Sequence, residues 1–248
     1  MSKRPIIICL WSTPRSVSTA FEKTFKERSD TNIIHEPFTE CYYYSEWRQS
    51  SRYGLLDKFA DYSGAAAEQR VRALEGPLVF TKDLAFQAFP YVSDEFLREV
   101  RNTFMTRHPY YVAASLAKLK PDFTEEELGF TRLRDLWERV VALGGRRPFL
   151  VEGTEFRNRP QQVLAAYCAH LDIPPQDAML TWQDGKIQNW SPEDYEAHAK
   201  WHNTLEHSRT ILAEASDLPD LDAIPLSSEQ REYVQRAVGI YEQLVMKE

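Results

Sequence analysis

Four short polar clusters hold the residues that could do chemistry. The first, Ser12-Thr13-Pro14-Arg15-Ser16, follows an apolar run and leads into a helical pattern that opens with Val17, Ser18 and Thr19. Hydroxyls and an arginine ahead of a helix start suit an oxyanion. The first helical N–H groups lack intrahelical partners, and a guanidinium can fork around two oxygens. The loop is not that of a nucleotide triphosphatase, since the pattern G-x-x-x-x-G-K-[ST] is missing and no glycine or lysine lies in it. The second cluster, His35-Glu36, offers two candidate bases, and the third, Lys82-Asp83, a cation and another carboxylate. In the fourth, Arg107-His108, Arg107 stands eight positions ahead of Ser115, across a strand end and a helix that Pro109 opens. That spacing lets a guanidinium and a hydroxyl meet one phosphate at a distance from the first loop. Taken singly, each cluster also has an ordinary reading, as a capping loop, a surface arginine or a helix-face serine. Taken together they point to binding of a phosphate or sulfate compound with a base nearby.

These clusters need a frame. Apolar, β-rich runs at residues 6–11, 32–38, 77–83, 102–109 and 147–153 read as five short strands. Helical patterns separate them, at 17–28, 55–74 (weaker), 93–99, 110–119, 125–143 and 160–171. From about Asp172 the chain reads as helix with loops, ending in a helix over 228–246 that carries Tyr233, Ala237, Ile240, Tyr241 and Leu244 on one face. The expected class is α/β, with a mostly parallel central sheet flanked by helices and a helical C-terminal portion, in a single domain spanning residues 1–248. Ligands of such sheets bind at the carboxyl ends of the strands, and all four clusters fall at those ends.

Bulk properties narrow the partners. With 248 residues, 43% hydrophobic and 27% charged, the chain can bury a sizeable core. Its net charge of −7 argues against nucleic acid as a bulk partner. The first apolar run is too short and too soon interrupted to be a signal peptide or a membrane span. Cys9, Cys41 and Cys168 are scattered and without metal-ligand spacing, so they read as reduced packing residues of a cytoplasmic protein.

The clusters resemble those of sulfotransferases that use 3′-phosphoadenosine 5′-phosphosulfate. Arg107 and Ser115 fit that family's R-x-x-x-x-x-x-x-S site for the 3′-phosphate, and residues 12–19 its 5′-phosphosulfate loop after the first strand. Within the superfamily the similarity is closest to tyrosylprotein sulfotransferases and bacterial small-molecule sulfotransferases. Their loop reads P-R-S-G-[ST]-[ST]; here it is Pro14-Arg15-Ser16-Val17-Ser18-Thr19, with Val17 in place of the glycine, which implies a different backbone path. Their catalytic glutamate stands 21 positions beyond the loop arginine, which falls on Glu36, and their N-K-D-P lysine matches Lys82 in "TKDL". The resemblance covers roughly the first half of the chain and weakens beyond Val151.

The resemblance implies a single P-loop-like fold and in-line sulfuryl transfer to a hydroxyl, with no metal required because cationic side chains can serve a less charged group. Arg15 and Lys82 would stabilise the transition state, and Glu36 would be the general base. His35 is a rival, expected to point to the opposite face of its strand, and Asp83 is a third candidate, read foremost as a partner of Lys82. His108 reads as structural or adenine-adjacent, and Glu152 and Glu155 as loop residues. Ser208 could touch a phosphate from a covering segment formed by residues 182–185 and 200–210. The acceptor is expected to be a small molecule, aromatic or apolar, because Phe38, Tyr42, Tyr43, Tyr44, Trp47 and Tyr53 follow the base; those aromatics read equally as core packing. Residues 132–147 read as a solvated helix face. Two other functions remain open from the sequence: a small-molecule kinase of the same architecture, and a nucleotide-binding protein without catalysis.

Overall fold

The computed structural model describes residues 4–52, 62–184, 187, 204–214 and 217–246. Five strands form one all-parallel sheet: β1 (Ile6–Ser12), β2 (Thr31–His35), β3 (Leu78–Leu84), β4 (Arg101–Thr106) and β5 (Phe149–Glu152), in the order β2-β3-β1-β4-β5. β1 therefore lies at the centre, with β3 on one side and β4 on the other. The chain leaves it first in one direction and later crosses to the other, which opens a crevice above its carboxyl end.

Period-two alternation divides the core between the two faces. Cys9, Trp11, Val79, Phe104 and Leu150 face one layer, with Leu116, Leu133, Trp137 and Val234 from its helices. Ile8, Leu10, Phe80, Met105 and Val151 face the other, with Phe21, Phe25, Leu164 and Tyr167. Phe25 stacks on Phe80 at a centroid distance of 4.2 Å, an aromatic contact worth about 0.5–1.5 kcal/mol beyond its area. All three cysteines are free and buried.

Several elements differ from the sequence expectation for local reasons. The helix expected over 125–143 is two helices, Glu125–Leu128 and Phe130–Ala142. Thr124 and Glu127 close a capping box on the first, and Gly129, at φ 86°, ends it in the left-handed conformation that glycine adopts without steric cost. The fourth strand stops at Thr106, so Arg107 begins the loop beyond it. Of the weak helical stretch at 55–74, Gly64–Arg72 is helix, while residues 53–61, Tyr53 among them, lie outside the described residues. The last helix runs over Ser228–Val245 and buries Val234, Ala237, Ile240 and Leu244. Among the described residues no helix is long and apolar enough to cross a membrane.

Candidate active site

β1 runs into the loop and then the helix Ser18–Lys26. Arg15 (φ 57°) and Val17 (φ 72°) both take the left-handed conformation, which is sterically costly for a non-glycine residue and most so for a β-branched one. Val17 thus adopts the backbone region a glycine would occupy, and the surroundings hold it there. Ser16 Oγ donates to the Thr13 carbonyl at 2.7 Å, Thr13 N donates to Met105 O at 3.1 Å, and Ser12 Oγ stands 3.1 Å from Ser18 Oγ. Val17 caps the helix with no side-chain acceptor, so the helix start has no internal anion.

Two glycines that the sequence reading passed over press against this loop. A Cβ on Gly153 would stand 2.5 Å from the Ser16 carbonyl oxygen, and one on Gly129 would stand 2.5 Å from Pro14 Cδ. Neither has a motif that a single sequence would reveal; only close approach identifies them. Gly153→Ala is expected to cost about 1–3 kcal/mol of overpacking, read by calorimetry as a thermal midpoint lower by about 2–12 °C. An unchanged midpoint would show that the loop yields freely.

Glu36 follows the end of β2 and pairs with Lys82 of β3. Register explains the meeting, since His35 and Lys82 are direct neighbours across the two strands and Glu36 N donates to Lys82 O at 2.9 Å. Lys82 is among the most deeply buried side chains, while Glu36 keeps partial access to solvent. Glu36 Oε2 also accepts from Thr39 Oγ1 at 3.1 Å. Strand alternation would place His35 and Glu36 on opposite faces, but Glu36 takes φ 43° and leaves the strand geometry. Its carboxylate comes back to 3.9 Å from His35 Nε2. His35 Nδ1 in turn contacts Glu22 Oε2 at 2.6 Å, and Glu22, on the helix after the loop, is fully buried. Glu22 was another residue the sequence left unassigned.

Asp83 does not pair with Lys82. Its two oxygens accept from the backbone N–H groups of Phe38 and Leu84, each at 2.8 Å. Burial, reinforced by Glu36, pushes its carboxyl well above the ordinary range. Those contacts make Asp83 the clamp of the Glu36–Phe38 turn.

On the other side of the loop, Arg15 Nε donates to Ser115 Oγ at 2.9 Å, so Ser115 reaches the loop arginine. Burial, and then the nearby Arg107, lower the Arg15 guanidinium to about 10. Arg107 is buried, pairs with Glu214, and lies over the Tyr111 ring at 4.2 Å. Its Nε is buried without a partner among the described residues. Two cations held close together, one of them buried with an unused donor, suit an anion. Ser208 is engaged locally. Its hydroxyl donates to Leu205 O at 2.7 Å and its carbonyl accepts the Trp182 indole N–H at 3.0 Å, contacts that hold it in its own turn. The Trp182 and Ser208 segments do join, through the Thr181–Thr210 bridge, while residues 200–203 lie outside the described residues. His108 caps its helix by accepting from Tyr110 N at 3.3 Å, and Glu152 caps the helix Gly153–Asn158 by accepting from Glu155 N at 2.8 Å. Phe38, Tyr42 and Tyr43 are buried, with Tyr42 edge-on to Phe86, whereas Trp47 is 59% exposed. Most of that aromatic stretch therefore packs the core.

Comparison with known proteins agrees with this frame. A family model described as a sulfotransferase domain matches residues 6–242. The branched-chain-amino-acid aminotransferase-like proteins 2 and 1 of Arabidopsis thaliana are each 26% identical to this chain over 82% of it. The chain spans only 35% and 36% of their lengths, so their names describe much longer proteins. Among solved structures, the sulfotransferase domain from the curacin biosynthetic pathway superposes with a TM-score of 0.55 at 17% identity, covering 99% of both chains. Mouse sulfotransferase SULT7A1 complexed with PAP superposes with a TM-score of 0.51 at 12% identity, covering 98% of this chain and 90% of that one. At such identities the two structures speak for the fold alone. The family model, matched along nearly the whole chain, makes this protein a member of the sulfotransferase family.

Proposed function

We propose that the chain transfers a sulfuryl group from 3′-phosphoadenosine 5′-phosphosulfate to a hydroxyl of a small molecule, with Glu36 as general base. The observation that carries this reading is the Glu36–Lys82 pair at the ends of β2 and β3, beside the strand that delivers the Arg15 loop. A donor with two separate anionic ends fits the residues present. The loop and helix start suit one end; Arg107, with its unused Nε, suits a 3′-phosphate at the other.

The donor supplies an activated sulfuryl group, and the rest falls to the protein. Glu36 accepts the acceptor's proton, which makes the hydroxyl a competent nucleophile. Lys82 and Arg15 offer cationic donors where negative charge gathers on peripheral and departing oxygens. Lys82 needs no reorganisation to do so, because burial and the Glu36 contact already fix its stem. His35, held by Glu22, stands 3.9 Å from Glu36 Oε1, the oxygen that also meets Lys82.

Calorimetric titration with adenosine 3′,5′-bisphosphate tests the donor class. Micromolar binding that is independent of magnesium, with weak binding of ATP, is expected; magnesium-dependent ATP binding in its place would reverse the reading. In the same experiment Arg107→Ala is expected to weaken bisphosphate binding about 10- to 100-fold, the worth of a charge-assisted contact, and to leave adenosine 5′-monophosphate nearly unchanged. Equal losses for both nucleotides would remove Arg107 from the 3′-phosphate site.

A further inference from the structure

Glu214 stands where an external anion would be expected. Its Oε2 is shared by two guanidinium groups, Arg107 Nη2 and Arg157 Nη1, the latter at 3.1 Å. Its backbone N–H donates to Asn158 Oδ1 at 3.1 Å. Arg157 holds the same short segment twice more, through Nε to Leu212 O at 2.8 Å and Nη2 to Ala213 O at 2.7 Å. The pocket is closed, with the Glu214 and Arg107 side chains only 8% and 10% exposed.

The pocket leaves a buried donor unused. Two arginines converge on one carboxylate oxygen, and Arg15 is close enough to be depressed by Arg107. Glu152 also faces Arg107 and adds a second negative charge there, while its Oε2 caps the next helix. The Arg107 Nε remains buried without a partner among the described residues. A carboxylate has two oxygens and one charge, whereas a phosphate monoester brings three terminal oxygens and nearly two charges. The pocket has a guanidinium N–H left over for the extra oxygen of the second group.

We propose that Glu214 is an internal stand-in for the donor's 3′-phosphate, competing with it for Arg107, and that Arg157 is the second arginine of that subsite. This rests on the donor reading given above. Entry of the phosphate displaces the Glu214 carboxylate toward solvent, and Arg107 and Arg157 close on the phosphate oxygens. The carboxylate thereby lowers the affinity for every nucleotide with a 3′-phosphate, product and donor alike, and favours product release. Nucleotides without that phosphate do not need Glu214 to move. Discrimination between the two classes is therefore set by the strength of the internal ion pair.

The test is titration of the unaltered chain, Glu214→Gln and Arg157→Ala with adenosine 3′,5′-bisphosphate and, separately, adenosine 5′-monophosphate. Glu214→Gln is expected to tighten bisphosphate binding by about tenfold and to leave the monophosphate unchanged, because a neutral amide competes poorly for two guanidinium groups. Arg157→Ala is expected to weaken the bisphosphate by about tenfold, again with the monophosphate unmoved. Glu214→Asp keeps the charge on a shorter arm and is expected to fall between the unaltered chain and Glu214→Gln; it also serves if the amide variant folds poorly. Bisphosphate affinity that is unchanged or weaker in Glu214→Gln, with measurable binding to the unaltered chain, would overturn this proposal alone. Bisphosphate binding to none of these proteins would overturn the donor reading and the proposal with it.

Discussion

Glu36→Gln is expected to lower turnover by about 10²–10⁴, the usual worth of a general base, and to keep bisphosphate affinity. The substitution preserves shape. A glutamine oxygen still accepts from Lys82, and the amide N–H₂ can donate to Thr39 Oγ1, whose single proton then goes to Gln87 Oε1 at 2.7 Å. Nor does the backbone strain change, since glutamine at φ 43° meets the same crowding as glutamate. The ability to take a proton is lost, and with it the charge that partners the buried Lys82, so a loss of stability is expected beside the loss of turnover. Turnover is read as bisphosphate released in the presence of a hydroxyl acceptor that the unaltered protein uses. Turnover within a few-fold of the unaltered chain would reject Glu36 and turn attention to His35. The histidine is the less suitable base on geometric grounds: its Nδ1 is engaged by Glu22 at 2.6 Å, and its Nε2 faces the Glu36 carboxylate at 3.9 Å.

The parts of the site that could be read from the sequence were those fixed by local rules. The loop, Glu36, Lys82 and Arg107 each follow the carboxyl end of a short apolar run, and strand ends are readable because a buried parallel strand is a continuous hydrophobic segment. Their convergence then follows from parallel topology alone. What stayed hidden was set by contacts between distant parts of the chain. Glu22 looks like any charged residue of an amphipathic helix until packing brings it under His35. Glu214 and Arg157 lie 57 positions apart and meet only because the returning segment crosses the end of β5 and its helix. Gly129 and Gly153 announce nothing in sequence; their importance is the space they leave for Pro14 and Ser16. Asp83 shows the same limit from the other side. Its neighbour in sequence, Lys82, suggested a partner, but alternation along β3 turns the two side chains apart, and Asp83 is used by the backbone of the next turn.

Lys82→Met is expected to lower turnover by about 10²–10³, comparable to removing one preorganised donor from a developing anion. Like Glu36→Gln, which leaves the buried Lys82 ammonium without its anion, it should also cost stability, because it strands the Glu36 carboxylate without its cation. Breaking a fully buried pair costs about 3–5 kcal/mol; partial solvent access to Glu36 brings the expectation to about 2–3 kcal/mol. Methionine fills most of the volume of the lysine stem, so lost packing contributes little. The double variant Lys82→Met with Glu36→Gln separates the two effects. It leaves no uncompensated charge, so the thermal midpoint is expected to recover most of the loss seen in Lys82→Met. Turnover is expected to stay near that of the worse single variant, because residues acting as a unit are far from additive. If turnover instead fell by the product of the two single losses, the pair would be two independent contributors, and its tight contact would be a matter of stability alone. Recovery of the midpoint without recovery of turnover is the outcome that ties the ion pair to the chemistry: the cation that holds the base in place is also the one that meets the charge released when the base acts.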